Sequence, residues 1–156
     1  MSDASEPLAF MMGKRRATFP TDRRYAKNHM WAQDGPAGRR FGFTAYAVRL
    51  LQDVYFLDWT VDPGSSLAER QPIGSIESSK AESELYAPVA GRLDAINRDV
   101  LGDPALINVD PYDRGWLFSI SGPDAGLLTA GEYLVHLESA WKIAERTIKG
   151  QMNEEA

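Results

Sequence analysis

Between Phe41 and Ile96 the chain sustains no long apolar run. Short stretches rich in aromatic and β-branched residues, such as "VYFLDW" at 54–59, are cut by "DPGSS" at 62–66, by Pro72 and by Gly74. Runs of that length bounded by Gly, Pro, Asp and Ser specify short strands joined by turns, so the middle of the chain is mostly β. Val89, Gly91, Leu93 and Ala95 alternate with Ala90, Arg92 and Asp94, as in a strand with one face on a core. The approach "PIGSIE" reads less cleanly, yet with "ESELY" behind it the pattern is two strands joined at a tight turn, with Lys80 at the tip.

After these strands, "RDVLGDPALI" carries Gly102 and Pro104 and holds a helical turn before "RGWLFSISG" resumes as a strand, which Gly122-Pro123 stops. The clearest helix is C-terminal. Leu134, Leu137, Trp141, Ala144 and Ile148 fall at spacings of three and four and form one apolar stripe, Thr129 and Glu132 have capping-box spacing, and Gly150 is placed to close the helix. At 156 residues the chain fits one domain with short extensions. Residues 1–20 mix Pro, Gly and charge without a sustained period and read as a flexible N-terminal extension, ahead of an ordered domain over 21–137 and a helical extension over 138–156.

Several function classes fall away on composition. With no cysteine there is no disulfide framework, no thiolate metal site and no cysteine nucleophile. A net charge of −5 argues against a nucleic-acid partner, although Lys14, Arg15, Arg16, Arg23 and Arg24 form a local basic patch that reads as a solvated arm. Apolar stretches fall far short of the roughly 20 residues that cross a bilayer, so no membrane role is expected. Asp3 and Glu6 stand where an export signal would place positive charge, and the expected location is cytoplasmic.

Chemistry of the chain's own is equally hard to find. "GSIESSK" lacks the second glycine of a phosphate-binding loop, and Ala81 replaces the hydroxyl that would meet magnesium. His29 and His136 lie far apart in sequence, no G-x-S-x-G or H-E-x-x-H occurs, and no catalytic or metal-binding set is expected. That leaves Lys80. A lysine on a hairpin tip stands in water on a rigid support, where a modifying enzyme reaches it without unfolding anything, whereas a solubilising lysine needs no such setting.

"ESSKAESELYAPVAG", followed by "NRDVLGDPALINVDPYDRGWLFSI", resembles the lipoyl-carrying H protein of the glycine cleavage system. In that family an E-S-x-K-A turn bears lipoate on its lysine, an A-P-V-S-G stretch follows, and N-P-x-L-[VI]-N-x-D-P-Y-x-x-G-W closes the domain. "YAKNHMW" at 25–31 is similar to the family's Y-x-x-x-H-E-W, so the resemblance runs from about Tyr25 to Leu137. It implies a mostly β fold, a flattened β-barrel or sandwich of the lipoyl-domain (barrel-sandwich hybrid) kind with flanking helices and a C-terminal helix. It also implies a carrier and no enzyme: lipoate amide-linked to Lys80, with Glu77 and Ala81 completing the modified turn and Glu77 serving a ligase or simply facing water. The implied partners are a lipoate-attaching ligase or transferase, dihydrolipoyl dehydrogenase and the glycine cleavage components. Asn97, Asn108, Asp110, Pro111, Tyr112, Gly115 and Trp116 match the closing motif and read as structural.

Departures from the family pattern concern the cleft that receives the arm. Met30 stands at the glutamate of H-E-W, Asn28 where serine is usual, and Ala45 where T-D-Y-A has its acid, while Glu84 keeps a carboxylate just after the turn. An ammonium leaving water needs an opposite charge, and a thioether offers only a weak acceptor. Met30 suits soft, polarisable cargo. The sequence therefore leans towards a second group resembling H proteins, the lipoate-binding proteins of the heterodisulfide-reductase-like sulfur oxidation system. There the arm would carry sulfur and the partner would be a heterodisulfide-reductase-like complex; the alternative is aminomethyl cargo in glycine cleavage. A remoter alternative is an interaction module that carries no lipoate.

Overall fold

The structure, a computed structural model, describes residues 6–36, 38–124 and 126–155, with side chains up to residue 146. Strands β1 (Leu8–Met12), β2 (Arg15–Phe19), β3 (Arg24–Tyr25), β4 (Met30–Gly35) and β5 (Gly38–Phe43) come first. Helix α1 (Ala45–Leu51) leads into β6 (Val54–Trp59), β7 (Ser66–Leu67), β8 (Pro72–Ser78), β9 (Glu82–Tyr86) and β10 (Gly91–Ile96). Two helical turns, α2 (Arg98–Gly102) and α3 (Leu106–Val109), precede β11 (Phe118–Ser121), and α4 (Ala130–Glu155) follows.

A six-stranded sheet, ordered β3-β4-β5-β11-β10-β7, faces a three-stranded sheet, β6-β8-β9. Phe41, Phe43, Leu93, Phe118 and Ile120 from the first meet Leu57, Ile73, Ile76 and Leu85 from the second in the main core. This is the mostly β sandwich expected of the sequence. Strand β4 shows how the larger sheet is buried on both faces: alternation sends Met30 and Ala32 into the main core and Trp31 into a second one. Gly42 sits opposite Trp31, and a Cβ there would lie 2.6 Å from the indole, so only glycine leaves the ring its place.

The second core overturns one expectation. Residues 1–20, read as a flexible extension, include the antiparallel pair β1–β2, whose Met12, Ala17 and Phe19 are buried with Tyr46 and Tyr133. Charge hid the signal: Leu8, Phe10 and Met12 alternate, as do Ala17 and Phe19, and Gly13-Lys14 between them form a two-residue hairpin loop with Gly13 at a φ of +64°. Nor is the whole basic patch a solvated arm. Arg23 donates to the Tyr112 carbonyl at 2.8 Å and lies 4.8 Å from the Trp31 ring centroid.

Helix α4 packs on its own domain. Ala130, Tyr133 and Leu137 are buried in the second core with Trp141 half-buried beyond them, close to the stripe read from the sequence. The capping box forms as expected: the Thr129 amide donates to Glu132 Oε1 at 2.8 Å and the Glu132 amide to Thr129 Oγ1 at 3.2 Å. The helix runs through Gly150 to Glu155, so Gly150 does not close it, and the Ile148 side chain lies outside the described residues.

The closing motif is scaffold. Asn108 accepts from the Val54 amide at 2.9 Å and donates to the Gln52 carbonyl, fixing the entry to β6. Pro111 accepts the Trp31 Nε1–H at 2.8 Å, and the Tyr112 hydroxyl accepts from Ala45 while donating to Thr18. A side chain at Gly115 would meet the Leu106 carbonyl oxygen at 2.7 Å.

Candidate functional site

Lys80 is the middle residue of the three-residue loop between β8 and β9, where the Ser78 amide donates to the Ala81 carbonyl at 2.8 Å. The two preceding serines hold the loop. Buried Ser78 accepts through Oγ from the Lys80 amide at 3.3 Å and the Ala81 amide at 3.1 Å, and it donates to the Ala81 carbonyl. Ser79 clamps the loop from outside: its amide donates to the Asp53 carbonyl at 2.9 Å, and its hydroxyl accepts from the Asp53 amide at 3.2 Å. The sequence reading gave these two serines no role. Lys80 itself is exposed, and among the described residues its ammonium has no acceptor.

Glu77 and Glu82 are register partners across β8 and β9, which puts two carboxylates beside the lysine on the outer face of the small sheet. Like charges directly opposed across strands are unfavourable, so nothing in the packing of the hairpin requires both. Ala81 is half-buried and lines a cleft on the other side of the loop.

That cleft encloses about 310 Å³, and Asn28, Met30 and Glu84 are among its lining residues. Met30, Phe43, Ile76 and Leu85 give it an apolar wall. Asn28 donates to the Tyr86 carbonyl at 3.3 Å and ties the β3–β4 turn to β9, while the Tyr86 hydroxyl donates to Glu84. Ala45 lies elsewhere, in the second core, so an acid missing there does not change the charge of this cleft.

Sequence reading missed a polar group that starts at the cleft, where His29 is one of the lining residues. His29 and His136, distant in sequence, have ring centroids 5.6 Å apart. His29 takes a φ of +70° in the β3–β4 turn, and its Nδ1 lies 2.8 Å from the Tyr133 hydroxyl, which is 2.9 Å from Thr44 Oγ1. Burial, helped by His136, lowers the His29 pKa from 6.5 to about 4, so the ring is neutral at pH 7 and brings no cation to the cleft.

A pH dependence follows. Between about 6.5 and 4 the unfolded chain binds a proton that folded His29 refuses, so this residue's stability contribution is lost as pH falls through that window. Over the full window the effect is about 3 kcal/mol in order of magnitude. In His29→Asn, which tolerates positive φ, the drop in unfolding free energy between pH 7 and 4.5 should be smaller than in the parent, as read by denaturant titration. Parallel curves would mean that His29 takes up its proton in the folded state as readily as in the unfolded one.

With this geometry in view, the comparisons with known proteins are direct. The glycine cleavage H-protein family model matches residues 23–146. The glycine cleavage system H protein of Herpetosiphon aurantiacus is 41% identical over 116 residues, covering 73% of this chain and 89% of that protein. The Streptomyces coelicolor protein of the same name is 40% identical over 119 residues, 73% of this chain and 93% of the relative. Among solved structures, the crystal structure of a glycine cleavage system H protein from Mycobacterium marinum superposes with a TM-score of 0.64 at 38% identity, over 74% of this chain and 95% of that one.

Proposed function

The chain belongs to the glycine cleavage H-protein family, and on that premise we propose that it is a carrier whose Lys80 bears lipoate through an amide. The observation that carries this reading is an exposed lysine on a hairpin loop clamped by Ser78 and Ser79, with an apolar cleft beside it. The residues suit the group. A tether on Lys80 starts in water, and Met30, Phe43 and Ile76 offer its end an apolar seat that can accept sulfur. Lipoate, when bound, supplies the redox sulfurs that a chain without cysteine lacks.

This chain's own work is presentation and shelter. Ser78 and Ser79 fix where the tether begins, so a partner meets the arm at high effective concentration. Asn28 and Tyr86 bound the cleft, and Glu84 gives it a carboxylate able to face an ammonium. Glu77 and Glu82 flank Lys80 as recognition groups for the lipoate-attaching ligase or transferase. The other partners are the glycine cleavage components and dihydrolipoyl dehydrogenase, in the cytoplasm, with an aminomethyl group as cargo. Among the described residues no helix is long and apolar enough to cross a membrane.

The lean towards sulfur cargo loses ground here. The relatives named above are glycine cleavage proteins, and of the two acids the sequence lacks, only the one replaced by Met30 bears on the cleft. Met30, 1% exposed in the wall, remains the observation favouring sulfur and a heterodisulfide-reductase-like partner.

Mass analysis of the Lys80 peptide from protein isolated from its host, followed by loading from glycine through the decarboxylating component, tests the proposal. A lipoyl adduct and aminomethyl loading are expected. Added sulfur without aminomethyl loading would select the second reading, and a bare lysine in actively growing cells would remove both.

A further inference from the structure

The N-terminal hairpin builds a groove that the carrier's chemistry leaves unused. It lies between β1–β2, α1 and α4, encloses about 720 Å³, and has Met12, Leu50 and Trp141 among its apolar lining residues. Lys14, Arg15 and Arg49 bring three cations to it. Among the described residues the ion pairs are Arg23–Asp22 and Arg39–Asp34, so these three have no carboxylate partner. Arg49 donates instead to the Arg16 carbonyl, which anchors it between helix and hairpin. Among the described residues of a chain of net charge −5, the groove thus gathers three cations that form no ion pair.

Its position relates it to the arm. The groove reaches Gln52 and Asp53, and Asp53 is the residue hydrogen-bonded through both its amide and its carbonyl to Ser79, next to Lys80. Asp53 is also the one carboxylate among the described lining residues, which together are net positive. Strands β1 and β2 precede the residues the family model matches, so the hairpin adds this groove to the shared domain.

We infer that the groove docks an acidic, apolar-edged segment of a protein that acts on the arm. This rests on the carrier reading. A small anion would answer the cations and leave the apolar lining wet, whereas a segment alternating carboxylates with aliphatic side chains covers both. A partner seated there also holds its active centre beside the Ser79–Lys80 loop, which converts the arm's search into a local one.

The test uses full-length lipoylated protein and its Lys14→Glu/Arg15→Glu/Arg49→Glu variant. Dissociation constants are measured against the host's decarboxylating component, aminomethyl-transferring component and dihydrolipoyl dehydrogenase, at low and physiological salt. At least one partner should bind the variant roughly tenfold more weakly at low salt, with the gap narrowing as salt rises. Equal constants for all three partners would overturn the inference. So would a gap confined to two control probes, anionic phospholipid vesicles and a single-stranded oligonucleotide. Lys14→Gln/Arg15→Gln, at two exposed positions on the hairpin loop and the first residue of β2, replaces the triple variant if that one unfolds. The mass of Lys80 is read in parallel: its lipoyl adduct decides the carrier reading, and the binding constants decide the groove.

Discussion

Lys80→Arg should fold as the parent does and carry nothing. The loop conformation rests on Ser78 Oγ, on the backbone pair between Ser78 and Ala81, and on the Ser79–Asp53 clamp. None of these involves the lysine side chain. An exposed substitution of this kind changes stability by no more than about 0.5 kcal/mol, so thermal unfolding of the two proteins should coincide. Arginine keeps charge and length but offers no amine that can form the lipoyl amide. The expected result is therefore complete loss of the adduct in the intact mass, with loading from glycine falling to the level of a mixture lacking the protein. Undiminished loading by a folded Lys80→Arg protein would defeat every carrier hypothesis at once, including the one with sulfur cargo.

That hairpin was legible in the sequence because turn chemistry is local: two serines, a lysine and flanking strand residues specify it within a few positions. The α4 cap was legible for the same reason, since Thr129 and Glu132 satisfy each other's amides. The hairpin formed by β1 and β2 was not. Its alternation is short, its outward residues are Arg15, Arg16 and Thr18, and what makes it strand is burial of Phe19 and Ala17 against Tyr133 and Tyr46, which no local rule reports. The cleft was half legible. Its residues could be named from the family pattern, but the loss of an acid at Ala45 was weighed as a loss to the cleft until packing placed that position in the second core. The pairing of His29 with Tyr133 and His136 depends on α4 returning to the β3–β4 turn, a contact between distant segments that spacing cannot predict.

The fully buried Met30 also determines what a glutamate would do there. In Met30→Glu a carboxyl replaces a thioether that is 1% exposed, among Phe43, Ile76 and Leu85, with a neutral His29 and Glu84 on the same cleft. Desolvation and the neighbouring acid both disfavour its charged form, so its folded pKa lies above the unfolded value of about 4.3. The sign is then the reverse of an ordinary carboxylate. The folded state holds the proton longer, and stability falls as pH rises from about 4.3 through the folded pKa. For a shift of two to three units the loss at pH 7 is about 3–4 kcal/mol, a large share of a domain's total stability. An arm loaded with an aminomethyl group would bring an ammonium to this carboxylate and restore part of the loss, so the thermal midpoint of the loaded variant should rise well above that of the unloaded one. The parent, with Met30, should show little such gain. Stability that stays flat from pH 5 to 8 would mean that the carboxylate reaches water, and the apolar wall would then not be closed. A variant that is destabilised as expected, yet gains nothing on loading from glycine, would place the ammonium away from residue 30 and leave Glu84 as the carboxylate that meets it.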